Sequence, residues 1–176
     1  MYCFEPLPEP FQKLKEWAGR REQRISLFNM ALGEEIGTVE MNCHTQHTPS
    51  SSILSTTEQA GQSYPVTREQ SKIHARMDTL DNVLRDVIPD MKGEILLKLD
   101  VQGYEDRVLR GGEKVLSKAA ICIVEASIEN LYATQANFID LANLLYKAGY
   151  FYSGNLDQSC ASDGRIVFLD AVFKKP

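Results

Sequence analysis

Three acidic residues, Glu5, Asp100 and Glu125, each follow directly on a short apolar, strand-like run. In open α/β sheets ligands bind beyond the carboxyl ends of the strands, and a buried carboxylate costs stability unless it is paired or bound. A carboxylate there can accept hydrogen bonds from two ribose hydroxyls or take a proton from a substrate. We therefore expect the three acids to gather at one ligand-binding edge. Helix capping by Glu5 or Asp100, and pairing of Glu125 with a nearby base, are the structural alternatives.

The elements that must position these acids alternate between strand and helix along the chain. That rhythm predicts an α/β fold with a parallel sheet and helices on both faces. Apolar periodicity predicts helices over residues 11–18, 80–88, 103–110 and 138–148, and strands over residues 1–4, 25–31, 38–43, 95–99, 119–124, 150–152 and 165–173. Residues 44–67 are rich in Ser, Thr, Gln and Pro and predict a long surface loop, of the kind that often forms a lid or a binding loop.

Composition narrows the class of protein. A chain of 176 residues with 43% hydrophobic residues is long enough for one domain with an ordinary core. Its net charge of -5, without a basic block, argues against a nucleic-acid partner. Four scattered cysteines fit a reducing compartment, and neither a membrane-spanning segment nor a signal peptide is apparent. We expect a soluble, cytoplasmic protein that does not bind membranes.

Several ordered motifs resemble those of FkbM-type methyltransferases over nearly the whole chain. The most specific runs from Lys98 through Asp100 to Glu105; the others are Tyr2-Cys3-Phe4-Glu5-Pro6, Asn29-Met30-Ala31-Leu32-Gly33, Ser50-Ser51-Ser52-Ile53-Leu54, Thr79-Leu80-Asp81, Glu125-Ala126-Ser127 and Leu131-Tyr132. The resemblance implies a class I methyltransferase (Rossmann-like) open sheet, mostly parallel, with strand order 3-2-1-4-5-7-6 and an antiparallel last strand. It also implies an S-adenosylmethionine-dependent enzyme that methylates a hydroxyl of a small molecule or sugar.

The resemblance carries roles onto particular residues. Glu5 would bind the cofactor's ribose, Ala31 would lie near the adenine, and Asp100 would sit near the sulfonium and the incoming substrate. Asp100 is then the first candidate for the catalytic base, or for orienting the nucleophile, and Glu105 is the second. Glu105 could equally be an acid that stabilises a helix N-terminus.

One part of the family pattern has no counterpart in this sequence. The pattern begins with a strand and a glycine-rich turn upstream of Glu5, so we expect residues 1–176 to form a single, N-terminally truncated domain whose first strand is missing. That strand would lie between those ending at Glu5 and Asp100, and the two open edges would have to re-pair or be covered by another chain, as in an oligomer. A non-catalytic remnant or binding module is therefore the alternative function, and an unrelated nucleotide-binding α/β protein ranks third.

Other polar residues are weaker candidates. Cys43, His44 and His47 are too few to form a zinc site without a further ligand, and we expect no metal. His74 is a further candidate base. Lys98 is expected to pair with a neighbouring acid.

Overall fold

The computed structural model describes residues 1–19 and 24–176 of the chain, which form a mixed α/β fold. The strands are β1 (Tyr2–Phe4), β2 (Ser26–Phe28), β3 (Ala31–Leu32), β4 (Gly37–His44), β5 (Gln70–Asp78), β6 (Leu96–Leu99), β7 (Ile121–Ser127), β8 (Phe151–Cys160) and β9 (Ile166–Lys174). The helices are α1 (Pro8–Gly19), α2 (Glu58–Ser63), α3 (Leu80–Val83), α4 (Glu105–Arg110), α5 (Glu113–Lys118) and α6 (Phe138–Lys147). Among the described residues, no helix is both long and apolar enough to cross a bilayer.

Two of the three sheets follow the predicted strand order in part. β1 and β2 pair in parallel, and a four-stranded sheet has the order β6-β7-β9-β8. In that sheet β6 and β7 are parallel, whereas β9 is antiparallel to both of its neighbours, as predicted for the last strand. Within the described residues β1 pairs only with β2 and β6 only with β7, so the two sheets remain separate.

The third sheet was not predicted as a unit. It has the order β3-β5-β4, with β5 antiparallel to β4 and parallel to the two-residue β3. We did not predict β5, although Ile73, Ala75 and Met77 alternate along it and pack on one apolar cluster. β3 hydrogen-bonds to the end of β5, and this pairing fixes the position of Ala31.

The predicted helix over residues 80–88 is wrong in length. α3 ends at Val83, and a 3₁₀ turn follows over Ile88–Asp90, where Pro89 cannot donate a backbone hydrogen bond. The predicted apolar face is nevertheless buried, because Leu80, Leu84 and Ile88 all belong to the main core. Leu84 and Ile88 are therefore buried although they lie beyond the last residue of α3.

The predicted loop over residues 44–67 is partly ordered into short elements. It contains α2 and two 3₁₀ turns, Thr48–Ser50 and Pro65–Thr67. Thr57 caps α2 by accepting a hydrogen bond from the Ala60 backbone N–H at 3.1 Å. The segment is tied to the rest of the chain through the bridges that join Ser52 to Asn42 and Thr56 to Tyr132.

Candidate active site

Two adjoining cavities lie at the carboxyl ends of β1 and β6. The first, which we call the Glu5 cavity, has a volume of about 470 Å³, and its lining includes Glu5, Ala31 and Asp100. The second, the Glu125 cavity, has a volume of about 420 Å³. Asp100 and Gln102 line both cavities. Both volumes are in the range of small-molecule sites, and a group at the shared wall borders both cavities.

Hydrogen bonds of both its backbone and its side chain hold Glu5 at the carboxyl end of β1. Its backbone N–H donates to the Phe28 carbonyl at 3.0 Å, extending the pairing with β2 by one residue. Its Oε1 accepts a hydrogen bond from the Leu7 N–H at 2.8 Å. Burial raises the pKa of the Glu5 carboxyl, an effect that the Leu7 N–H opposes. Within the described residues Oε2 has no hydrogen-bond partner, so it is available to a ligand.

Ala31 contributes to an apolar wall of the same cavity. Its residue exposure is 4%, and its backbone pairs with Met77 of β5. The wall also includes Met30, Leu32 and Met41. A flat aromatic base fits such a surface better than a charged group does, because nothing in this wall would compensate a buried charge.

Asp100 is held by two donors at the junction of the cavities. Its Oδ1 accepts from Gln102 Nε2 at 2.8 Å, and its Oδ2 accepts from Lys98 Nζ at 3.0 Å. Burial lowers the pKa of Lys98, but the carboxylates of Asp100 and Asp170 outweigh burial, and the net pKa is raised. Lys98 is therefore a partner of acidic groups, as predicted.

Glu125 joins the same network from β7. Its Oε1 accepts from Gln102 Nε2 at 3.0 Å, so one amide nitrogen bridges two carboxylates. Burial first, and then the neighbouring acids Asp100, Glu105 and Asp170, raise the pKa of Glu125 to about 8. The sequence predicted that Glu125 lies at the end of a strand, and this prediction is wrong. β7 continues through Glu125 to Ser127 while pairing with β9.

Glu105 is placed differently from Asp100. Its residue exposure is 2%, and it lines neither of the two cavities. Its Oε1 accepts from the backbone N–H groups of Val101 and Gly103 at 3.0 and 3.2 Å, closing the loop that follows β6. Burial raises the pKa of Glu105 to about 7. This geometry favours the alternative predicted for Glu105, an acid at the first position of a helix, over a role in contact with substrate.

A profile of the Methyltransferase FkbM domain family matches residues 1–152 of the chain. The chain belongs to the FkbM methyltransferase family. The resemblance inferred from the motifs is thereby confirmed. No curated protein sequence matches the chain.

A solved structure of a methyltransferase FkbM from Methylobacillus flagellatus KT has a similar fold. The two chains share 14% sequence identity, with a TM-score of 0.56 over 98% of this chain. The match covers 36% of that chain, so the present FkbM-family chain spans about a third of the length of that relative.

Sequence reasoning assigned no role to the two polar residues that connect this site. Gln102 bridges the carboxylates, and the Tyr132 hydroxyl lies 2.8 Å from Gln102 Oε1 and 2.9 Å from the Ser50 carbonyl oxygen, both of which can accept its proton. Both lie in motif segments of the FkbM family, and Gln102 follows Asp100 by two positions; that proximity was the available signal.

Of the other candidates, His47 lines the Glu125 cavity, whereas His44 and His74 line neither cavity. His44 is buried and contacts Thr56 through Nε2, His47 contacts Ser50, and His74 is paired with Glu40 across β4 and β5. Within residues 1–19 and 24–176, no group of three or more His, Cys, Asp or Glu side chains is arranged to hold a metal ion.

Proposed function

We propose that the chain is the S-adenosylmethionine-binding and catalytic part of a class I O-methyltransferase that acts on a neutral hydroxyl compound. One observation carries the proposal. Glu5, Ala31 and Asp100, assigned to the cofactor from separate sequence motifs, line a single cavity, and that cavity meets a second one at Asp100 and Gln102. Cofactor and substrate would thus meet across one shared wall.

The Glu5 cavity suits the adenosine part of S-adenosylmethionine. The free oxygen of Glu5 can accept hydrogen bonds from a ribose, and the wall around Ala31 can pack on the adenine. When bound, the cofactor supplies a methyl group activated by a positively charged sulfur, so most of the rate must come from positioning. Asp100 supplies negative charge at the junction, where a sulfonium would be stabilised.

The Glu125 cavity indicates the class of substrate. Its described lining includes Asp100, Glu125 and His47 but neither Lys nor Arg, so a phosphorylated or carboxylated substrate would find no Lys or Arg there to pair with. Its wall also carries the aromatic rings of Tyr64, Tyr132 and Phe168. Aromatic faces beside hydrogen-bonding carboxylates suit a neutral molecule with hydroxyl groups, such as a sugar or a small hydroxylated ring.

The observed strand pairing supports the class I part of the proposal. The order β6-β7-β9-β8 matches the 4-5-7-6 portion of the class I sheet, and β2-β1 matches its 3-2 portion. The competing function is a methyltransferase-like binding module without cofactor. The open edges of β1 and β6, within the described residues, are the observation that favours it.

Calorimetric titration with S-adenosylhomocysteine, on a chain shown to be folded by circular dichroism, tests the proposal. We expect micromolar binding, and at least tenfold weaker binding by Glu5→Gln, because an amide cannot replace a carboxylate that accepts from two hydroxyls. Glu94→Gln makes the same chemical change on an exposed side chain and should leave the affinity unaltered. A folded chain that does not bind S-adenosylhomocysteine would refute the proposal and favour the binding module.

A further inference from the structure

We propose that Glu125, rather than Asp100, accepts the proton of the substrate hydroxyl, and that Gln102 is the positioning residue that aims it. The inference rests on the proposed function, since it assigns roles within the same site. It follows from which carboxylate oxygens in the shared network are already occupied.

The two acids differ in the oxygens that they leave free. Both oxygens of Asp100 accept hydrogen bonds, one from Gln102 and the other from the Lys98 ammonium. Glu125 accepts through Oε1 alone, and within the described residues its Oε2 has no hydrogen-bond partner. Glu125 lines the second cavity and not the first, so its unoccupied oxygen belongs to a residue on the substrate side. A base must reach its proton, and Glu125 has the oxygen to do so.

Hydrogen bonds hold both the backbone and the side-chain amide of Gln102. Its backbone has φ of 55°, a left-handed conformation that is uncommon for residues other than glycine. Ser52 Oγ fixes that backbone by donating to the Gln102 carbonyl at 2.7 Å. The Tyr132 hydroxyl lies 2.8 Å from Oε1 and 2.9 Å from the Ser50 carbonyl oxygen, which share its one proton, and Nε2 on the other side of the amide donates to the two carboxylates. Strain of this kind persists where the surroundings over-determine it, typically at functional sites.

The charges around Glu125 strengthen it as a proton acceptor. Asp100 at the end of β6, Glu105 at the start of α4 and Asp170 on β9 all disfavour its ionised form, and Lys98 on β6 opposes them. Tyr132 faces it from the segment before α6, with its own pKa raised by burial. With a pKa raised to about 8, the ionised form of Glu125 is a stronger base than an ordinary glutamate, and the fraction of Glu125 in that form rises as pH rises through about 8.

The proposed proton transfer balances with methyl transfer. The substrate oxygen forms a bond to the methyl carbon while its O–H proton passes to Glu125 Oε2. The electron pair of the broken carbon–sulfur bond stays on sulfur. A hydroxyl compound, a sulfonium and a carboxylate become a methyl ether, a neutral thioether and a carboxylic acid, so charge is conserved and Glu125 returns its proton to solvent afterwards.

A nuclear magnetic resonance titration of the ¹³C-glutamate-labelled chain tests the assignment without relying on turnover. We expect one side-chain carboxyl signal with a midpoint near 8, absent in Glu125→Gln and moved to lower pH in Asp100→Asn, which removes a neighbouring negative charge. A Glu125 midpoint below about 6 would overturn the proposal, because such a carboxylate is a weak base. So would a midpoint unmoved by Asp100→Asn.

Binding and transfer measurements separate this proposal from the one on which it rests. Glu125→Gln should bind S-adenosylhomocysteine within about twofold of the unaltered chain, because Glu125 does not line the Glu5 cavity. With tritiated S-adenosylmethionine and either methyl glucoside or inositol as acceptor, Glu125→Gln should lower kcat at least a hundredfold and Glu94→Gln should not. Retained transfer by Glu125→Gln would overturn the role of Glu125 alone; failure of the unaltered chain to bind S-adenosylhomocysteine would overturn the proposed function instead. If neither acceptor is methylated, the carboxyl titration decides.

Discussion

Substituting Gly111 by alanine should destabilise the chain and disturb the Glu5 cavity from a distance. Gly111 follows the last residue of α4, where it faces the turn that follows β3. A methyl group on Gly111 would lie 1.9 Å from the Gly33 carbonyl oxygen and 2.9 Å from its carbonyl carbon. The obstacle is backbone on both sides, so no side chain can turn away to relieve it.

The magnitude follows from that overlap. Ordinary contact begins near 3.4 Å, so the two backbones must separate by about 1.5 Å (3.4 Å less 1.9 Å). Overpacking commonly costs 1–3 kcal/mol, and a backbone-to-backbone clash belongs at the upper end, at about 3 kcal/mol. For a chain of 176 residues this corresponds to a fall in Tm of about 6–12 °C. Ala31 lies two residues before Gly33, so affinity for S-adenosylhomocysteine should fall as well.

Thermal and urea denaturation followed by circular dichroism measure this effect. Gly37→Ala is the matched control, because a methyl group on Gly37 meets nothing within 4 Å, and it should change stability by no more than about 0.5 kcal/mol. If Gly111→Ala were as stable as Gly37→Ala, the close approach of α4 to the turn after β3 would be refuted.

Two further predictions concern the buried acids. The pKa values of Glu125 and Glu105 are raised to about 8 and about 7 from an ordinary 4.5. The folded chain therefore binds their protons more tightly than the unfolded chain does. As a result, the free energy of unfolding should fall as pH rises from about 4.5 to about 8. Urea denaturation at pH 5.5 and 8.5 measures the difference in the free energy of unfolding between the two pH values, and this difference should be roughly 2–4 kcal/mol smaller in Glu125→Gln. An unchanged difference would contradict the burial of Glu125. Glu105→Ala should lower the free energy of unfolding by roughly 2–5 kcal/mol, because it leaves the Val101 and Gly103 N–H groups without an acceptor. Glu105→Gln keeps an acceptor and should lower it by less. Equal losses in the same denaturation assay would refute the loop-closing role of Glu105.

Much of the fold could be predicted because its signals are local. The apolar run before Asp100 and the helical spacing that starts at Phe138 specify elements through their own residues, and both were found where predicted. β5 was missed because its polar residues interrupt a short alternation, and its pairing partner β4 lies across the long loop. The end of α3 was missed because apolar periodicity reports burial, which continues to Ile88, and not the hydrogen bonds that define a helix.

The site was harder to predict than the fold because its decisive contacts join distant segments. Motifs identified Glu5, Ala31 and Asp100 one by one, and the structure brings them to one cavity. No local pattern could show that Gln102 bridges two carboxylates, since the bridge depends on how β6 and β7 align. Nor could spacing separate Asp100 from Glu105, because only burial shows that Glu105 faces the backbone of its own loop.

The loop after β6 links these observations into one arrangement. Glu105 closes the loop from inside, and this closure places Gln102 in its left-handed conformation directly after Asp100. Gln102 in turn ties Asp100 to Glu125 on β7, so the wall between the two cavities is a set of hydrogen bonds and not an apolar partition. Such a wall lets the charge on one side influence the acid on the other, because Asp100 lines both cavities. In the proposed reaction the same loop would place Asp100 beside the methyl donor and, through Gln102, orient Glu125 beside the substrate hydroxyl.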